Sequence, residues 1–208
     1  MKKVIYSLIC LVVLASNAFT GREAAGIPAL SGDSKPEEHG GVIETRYDGF
    51  KYETVVTLKR MRIVCGFSRT QPSNLNDTCV SIVASLHCPG AQLDYVRYAH
   101  LQLIFEAKDW QARHPLGQRD LIAVADGETL KLGTMQLGVQ DIDSDRGLEY
   151  MKEVLEVSIP YQTFTKLAKA QFVEMKVGRS IFGLKEKNLW ALRDLNNRVN
   201  LKGKQGPD

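Results

Sequence analysis

Cysteine is scarce in this sequence of 208 residues, which contains four: Cys10, Cys65, Cys79 and Cys88. Small secreted domains that rely on several disulfides instead of a core use cysteine far more densely, so that class is excluded. Charge of either sign is not in excess either, because 27 basic residues stand against 24 acidic ones. A protein held by phosphate contacts needs a clustered basic surface, so we expect no nucleic-acid partner.

Recognisable catalytic motifs are also missing. The sequence contains no G-x-S-x-G nucleophile elbow, no phosphate-binding P-loop, no H-E-x-x-H, no C-x-x-C and no dinucleotide-binding G-x-G-x-x-G. These absences favour a non-catalytic protein. They leave one alternative open, a secreted hydrolase whose catalytic residues come together only in the folded chain.

The only long apolar run lies at the N-terminus. Lys2 and Lys3 precede a mostly apolar stretch over residues 4–15, and Ser16 and Ala18 place small residues before a cut after Ala18. This three-part pattern is typical of a cleavable secretory signal, and the stretch is shorter than the ~20 residues that span a bilayer core. We therefore predict a signal peptide over residues 1–18 and no transmembrane segment after cleavage. The protein would be exported to the periplasm or the extracellular space, and the short lysine-led start favours a bacterial envelope.

Composition divides the rest of the chain into three parts. Residues 19–41 are rich in Gly, Pro, Ser, Ala and charge, and residues 202–208 are similar. Such segments bury too little apolar surface to offset the entropy of ordering them. We predict a flexible linker over 19–41, a single β-rich domain over 42–201 and a disordered tail over 202–208.

Alternating apolar residues dominate the predicted domain. Val80, Ile82, Ala84 and Leu86 are apolar at every second position, which is the period of a strand with one buried face. Similar patterns predict eight or nine short strands between residues 42 and 184. Two Asp-Gly pairs, which favour tight hairpin turns, lie between such runs at Asp48-Gly49 and Asp126-Gly127.

Helical spacing appears at two places only. Phe164 and Leu167 follow Pro160, which suits a first helical turn, and predict a short helix that ends near residue 170. Leu189, Leu192 and Leu195 place an apolar stripe on a helix over residues 185–200. We predict a mainly β, α+β fold: an antiparallel β-sandwich-like domain with a short insert helix and a C-terminal amphipathic helix.

The cysteines that follow the predicted signal suggest one disulfide. Cys65 ends one predicted strand and Cys79 begins the next, so pairing of these strands would bring the two together. Cys88 would lie on the order of 30 Å further along its strand, beyond the ~7 Å between Cα atoms that a disulfide tolerates. We predict a Cys65–Cys79 bond and a free Cys88. Because the neighbours of Cys65 look buried and those of Cys79 do not, the bond needs a bulge or a register slip; three separate thiols are the alternative.

An acidic segment is the sharpest local motif. Asp141, Asp143 and Asp145 alternate as at the start of an EF-hand-type calcium loop, whose carboxylates converge on the cation. Arg146, however, occupies the position of the turn glycine, and Lys152 that of the bidentate glutamate. We interpret the segment as a solvated acidic turn between strands. The three aspartates remain the candidate metal ligands, for calcium, and no other cofactor is predicted.

Histidine and tryptophan give weak signals. His87 and Cys88 are neighbours on a strand and point to opposite faces, so they cannot form a catalytic pair. His100 is expected opposite about residue 83, away from His87, and we predict isolated histidines. Trp110 and His114 lie in a predicted loop that could bind sugar or peptide; the alternative is that the tryptophan caps the core.

Together these patterns predict an exported, non-catalytic binding or structural module of the cell envelope, with a protein or glycan partner. The alternatives are the secreted hydrolase and a calcium-stabilised structural protein. A pocket with convergent polar groups would favour the hydrolase. A flat sheet face or groove with aromatic anchors would favour the binding module.

Overall fold

A computed structural model describes residues 39–66, 78–107, 114–145 and 148–199, and over residues 143–145 and 148–150 it describes the backbone alone. The predicted signal peptide, all but the end of the predicted linker, and the predicted tail lie outside these ranges. Within them, no helix combines the length and the apolar character needed to cross a membrane.

Ten strands and two helices form the described part of the chain. The strands are β1 (Ile43–Asp48), β2 (Glu53–Cys65), β3 (Thr78–Pro89), β4 (Tyr98–Ala107), β5 (Asp120–Ala125), β6 (Glu128–Thr134), β7 (Gln136–Asp145), β8 (Leu148–Ile159), β9 (Val173–Val177) and β10 (Ser180–Gly183). The helices are α1 (Tyr161–Lys169) and α2 (Glu186–Arg198).

The strands form two antiparallel sheets. The large sheet has six strands in the order β1-β2-β3-β4-β8-β7, and the small sheet has four in the order β10-β9-β5-β6. Residues of both sheets belong to one buried apolar cluster, in which the rings of Phe105 and Phe182 meet edge to face with centroids 6.2 Å apart. The prediction of a mainly β, sandwich-like α+β domain is confirmed.

Alternation along the strands builds this core. Val80, Ile82, Ala84 and Leu86 all point from β3 into the interior and are almost completely buried. Burying each large apolar side chain contributes about 1.5–3 kcal/mol. The intervening side chains of β3 point to the opposite face of the large sheet, away from the small sheet. That outer face of the large sheet carries many polar residues.

The two helices lie where the spacing of apolar residues predicts them. α1 follows Pro160 and buries Phe164 and Leu167. α2 buries its leucine stripe and is tied to β2 by Asn188, whose side-chain amide donates to the carbonyl of Arg62 at 3.1 Å. Asn188 also accepts a hydrogen bond from the backbone N–H of Lys185 at 3.0 Å, so one side chain both caps the helix and anchors it.

The two Asp-Gly pairs behave differently. Asp126 and Gly127 both have positive φ, 48° and 88°, and join β5 to β6 directly, which confirms the tight hairpin there. The hairpin predicted around Asp48-Gly49 is confirmed, since β1 and β2 pair antiparallel, but the prediction of a two-residue turn there is wrong. Pairing of β1 with β2 ends at Asp48 and Glu53. The Asp48 carboxylate accepts hydrogen bonds from the backbone N–H groups of Phe50 and Lys51, and this stabilises a longer loop over residues 49–52.

The acidic segment is a strand and not a turn. β7 continues to Asp145, and Asp141 pairs with Lys152 of β8. β7 is an edge of the large sheet, where charged side chains are well tolerated and discourage pairing with other chains. The acidic residues of this segment therefore belong to an edge strand and not to a turn between strands.

Candidate functional site

The outer side of the large sheet carries a network of polar side chains around His87. The Nδ1 atom of His87 lies 3.0 Å from Oε2 of Glu53 on β2, and its Nε2 atom lies 3.1 Å from Oγ of Ser85, two residues earlier on β3. We call this surface the polar face; it comprises Glu53, Ser85, His87, Tyr98, His100, Gln102, Glu156 and Ser158.

Tyr98 fixes the position of the His87 ring. The two residues are direct partners across β3 and β4, and their rings stack with centroids 4.4 Å apart. The phenol oxygen of Tyr98 also lies 3.1 Å from Nδ1 of His87. Burial, reinforced by the nearby Glu53 carboxylate, raises the pKa of Tyr98, and Arg97 opposes this. The phenol therefore keeps its proton at neutral pH, and its oxygen can donate to an unprotonated Nδ1 of His87 or accept from a protonated one.

His100 extends the network towards β8. Its Nδ1 atom lies 3.2 Å from Oγ of Ser158, and its Nε2 atom lies 3.6 Å from Oε2 of Glu156. Loss of solvent around the ring lowers the pKa of His100; Glu156 opposes this shift and His87 adds to it. The imidazole is therefore neutral at pH 7, and Gln102, which donates to Glu156 at 3.0 Å, shares that carboxylate.

The prediction of isolated histidines was wrong. His100 is paired with Ser85 and not with residue 83, and its ring meets that of His87 edge to face with centroids 6.3 Å apart. The reason is the loop between β3 and β4, which runs through residue 97 and shifts the register of β4. The alternation of polar residues on both strands was the available signal, but the loop length had to be known to align it.

A shallow cavity of about 320 Å³ borders the polar face. Its lining residues come from β1 and β2: Glu44, Arg46, Asp48, Val55, Thr57 and Lys59. Val55 is the cross-strand partner of His87, and Thr57 is that of Ser85. Ser85 and His87 therefore lie on the next strand, beside a cavity whose lining includes Val55 and the exposed side chain of Arg46.

Exposed aromatic side chains project from two loops at the adjoining end of the large sheet. Phe50 and Tyr52 are 105% and 70% exposed in the loop after β1, and Tyr95 is 50% exposed in the loop after β3. The loops touch, because the backbone N–H of Gly90 donates to the carbonyl of Tyr52 at 2.8 Å. We call residues 49–52 and 90–97 the aromatic loops. Tyr52 holds φ at 49°, which is uncommon for a bulky residue and is a form of strain that collects at functional sites.

A second histidine network lies in the interior. Nδ1 of His114 is 2.7 Å from Oε2 of Glu153, and its Nε2 is 2.9 Å from Oγ of Ser180. The ring packs against Phe105 with centroids 4.3 Å apart and is fully buried. The expectation of His114 in a binding loop is thereby corrected, since its polar atoms are used inside the protein. Trp110, its predicted companion, lies outside the described residues.

The candidate calcium ligands do not form a described site. Asp141 is exposed on the edge strand β7, and its Oδ1 accepts a hydrogen bond from the N–H of Ile142 at 2.7 Å. The side chains of Asp143 and Asp145 lie outside the described residues. Among the His, Cys, Asp and Glu side chains that the structure describes, no group of three or more is placed to hold a metal ion.

The cysteines occupy two separate environments. Cys65 and Cys79 are direct cross-strand partners, and their sulfurs lie at disulfide distance, 2.04 Å apart. Register shifts in β2 before Met61 and before Val64 supply the irregularity that the pairing requires. Cys88 is a buried free thiol, and burial, with help from Asp94 and Glu53, raises its pKa to about 11.

Comparison of the chain with models of protein families, with curated proteins and with solved structures gave no match in any of the three. The chemistry of the polar face and of the aromatic loops is therefore what indicates a function.

Proposed function

We propose that the mature domain is a binding module of the cell envelope that docks a protein partner through the aromatic loops. The observation that supports this proposal is the grouping of Phe50, Tyr52 and Tyr95 at one end of the large sheet, all at least half exposed. Large aromatic side chains dominate the energetics of protein interfaces, because they bury much area for few rotatable bonds.

A protein partner suits these loops better than a glycan. Phe50 extends fully into solvent from its loop, with no described surface beside it to complete a groove. A protruding apolar ring gains most when it enters a closed apolar pocket, which a folded protein offers and a hydrated sugar chain does not. The polar face next to the loops would then supply the hydrogen bonds of the interface rim.

Export is the second part of the proposal. The predicted signal peptide directs the chain out of the cytoplasm, and a disulfide such as Cys65–Cys79 persists in the oxidising space beyond it. The predicted linker over residues 19–41 would allow the domain to reach a partner at some distance. A bacterial periplasm or cell surface meets all of these requirements.

The test uses the mature chain from Phe19 onwards, with a photo-crosslinking amino acid in place of Phe50. We expect crosslinking in envelope extracts to one protein, and direct binding of that purified protein to the mature chain. The matched control carries the crosslinker at Leu116, which is equally apolar, 87% exposed, and close to His114 beyond the other end of β4. Equal crosslinking from both positions would contradict the proposal.

A triple variant gives the affinity test. Replacing Phe50, Tyr52 and Tyr95 by serine should weaken binding of the crosslinked protein at least 100-fold, since truncating a single aromatic hot spot of an interface costs about 2 kcal/mol or more. Leu116→Ser should leave the affinity unchanged. An unchanged affinity in the triple variant would show that the partner binds elsewhere.

A further inference from the structure

Three side chains of the polar face stand in the order that activates a serine. Oγ of Ser85 is 3.1 Å from Nε2 of His87, and Nδ1 of His87 is 3.0 Å from Oε2 of Glu53. With the proton on Nδ1 directed to the carboxylate, Nε2 is free to accept the serine proton. Nucleophile, base and orienting carboxylate are recognised by this geometry and not by their order in the chain.

We propose that Ser85, His87 and Glu53 form a hydrolytic site for small carboxylic esters, an activity that goes beyond partner binding. The set faces outward: the side chain of His87 is 17% exposed and that of Glu53 is 10% exposed, and both belong to the polar face. The cavity beside them, of about 320 Å³, has room for a small substrate only. Lys59 and Glu44 in the lining pair with each other at 2.8 Å, and the Asp48 carboxylate accepts backbone N–H bonds. Arg46 is then the charge at the wall that favours an ester whose distal part carries a carboxylate.

The reaction needs no reagent other than water. Oγ of Ser85 attacks the ester carbonyl carbon, and its proton passes to Nε2 of His87 while Glu53 stabilises the imidazolium at Nδ1. When the tetrahedral intermediate collapses, the bond to the alcohol oxygen breaks, and the alcohol leaves with the proton from Nε2. A water then gives a proton to Nε2 and attacks the acyl carbon, which releases the carboxylic acid and restores the Ser85 hydroxyl.

Two neighbouring side chains position this set. Tyr98 stacks on the His87 ring and holds its plane in the direction that joins Ser85 to Glu53. Thr57 is the cross-strand partner of Ser85 on β2 and lines the cavity, so it lies on the side of the sheet where the carbonyl oxygen of a bound ester would be held. Thr57 can therefore donate to the oxyanion that forms when Ser85 attacks.

The interior offers a built-in control. Ser180, His114 and Glu153 repeat the same residue types at 2.9 Å and 2.7 Å. His114 is fully buried, however, and Ser180 shares its side of β10 with Phe182 in the core. Ser85 and Ser180 are similarly buried, at 8% and 7% exposed, so the difference lies in the bases: the His87 side chain is 17% exposed, whereas His114 is not exposed. Modification of Ser85 and none of Ser180 is therefore the result that the proposal requires.

The first experiment labels the purified mature chain with a fluorophosphonate probe and locates the modified serine by mass spectrometry. We expect modification of Ser85 and none of Ser180. His87→Gln should abolish the modification, and Ser180→Ala should not affect it. An unlabelled Ser85, or labelling of Ser85 that persists in His87→Gln, overturns the proposal.

The second experiment measures hydrolysis of two esters of 4-nitrophenol, the acetate and the half-ester with succinic acid. Ser85→Ala and Glu53→Gln should each lower kcat/KM at least 100-fold, in line with loss of the nucleophile or of the carboxylate that orients the base. Arg46→Gln should raise KM for the succinate ester alone. Full hydrolysis by Ser85→Ala overturns the proposal.

Folding and binding are monitored separately. Glu53→Gln changes a single oxygen to nitrogen, and thermal unfolding of each variant establishes that it is folded. Because the aromatic loops are not part of the set, the triple serine variant of Phe50, Tyr52 and Tyr95 should keep its esterase activity. Loss of ester hydrolysis and loss of partner binding are thereby distinguishable.

Discussion

His114 and Glu153 form a hydrogen-bonded pair in the interior, with 2.7 Å between Nδ1 and Oε2. Ser180 completes the set from β10, so one side chain each from the large sheet, the small sheet and the segment before β5 meet at one point. The other carboxylate oxygen of Glu153, Oε1, is buried without a hydrogen-bond partner among the described residues. A polar group of this kind is costly to bury, so we expect the pair to add little net stability to the fold.

Breaking the pair of His114 and Glu153 should strongly destabilise the fold. His114→Ala leaves the Glu153 carboxylate buried and unpaired, and we expect it to lower the free energy of unfolding by about 3–5 kcal/mol. Urea unfolding of the mature chain measures this. The control replaces all three members with apolar residues, as His114→Leu, Glu153→Leu and Ser180→Ala. This triple variant should be more stable than His114→Ala, and the opposite order would show that the pair itself stabilises the fold.

The disulfide between Cys65 and Cys79 should contribute to the free energy of unfolding by an amount comparable to the loss expected from His114→Ala. Cys65 and Cys79 are separated by 14 positions, and closing a loop of about 15 residues is worth about 3 kcal/mol through the unfolded state. We expect the double variant Cys65→Ala/Cys79→Ala to lose this much in urea unfolding. Reduction of the wild-type protein by dithiothreitol should give the same loss and should leave the double variant unaffected. A reduced wild type as stable as the oxidised one would contradict the prediction.

The free thiol of Cys88 should be unreactive in the folded protein. A pKa of about 11 leaves almost no thiolate at pH 8, and the side chain is fully buried. With Ellman's reagent at pH 8, the native mature chain should therefore show no reactive thiol within minutes. One thiol per chain should react in denaturant without reductant, because Cys65 and Cys79 stay bonded. Rapid native labelling would place Cys88 at the surface.

Local patterns account for the parts of the fold that the sequence predicts. The alternation from Val80 to Leu86 identifies a strand and its buried face from neighbouring residues alone. The leucines of α2 do the same for a helix. Asp126-Gly127 forms the predicted turn because both residues can take positive φ, whereas at Asp48 a side-chain hydrogen bond to the backbone competes with that turn.

The two histidine networks could not be predicted in the same way. Glu53 and His87 are 34 positions apart, and their contact depends on the register between two long strands, of which β2 is irregular further along. His114 lies outside every periodic segment, and its partners Glu153 and Ser180 are 39 and 66 positions away. The Cys65–Cys79 pair is easier to predict, because both residues lie at the ends that a single loop joins.

His100 provides a prediction about pH. Its pKa is lowered in the folded protein, chiefly by desolvation, from an ordinary value of 6.5. As the pH falls through 6.5, the unfolded chain therefore binds a proton at this residue before the folded chain does. The contribution of His100 to the free energy of unfolding is therefore fully present above that pH. It decreases as the pH falls towards the lower pKa that His100 has in the folded protein.

The variant His100→Gln isolates this contribution, since glutamine does not titrate and can still donate a hydrogen bond towards Ser158 or Glu156. We expect the stability of the wild type relative to this variant to fall between pH 7 and pH 5, as measured by urea unfolding at each pH. Taking the difference removes the contributions of all the groups that both proteins share. His87 and Glu156 face His100 directly and oppose each other in their effects on it. Should the wild type instead gain relative stability on acidification, attraction to Glu156 would outweigh desolvation, and His100 would be charged in the folded protein at mildly acidic pH.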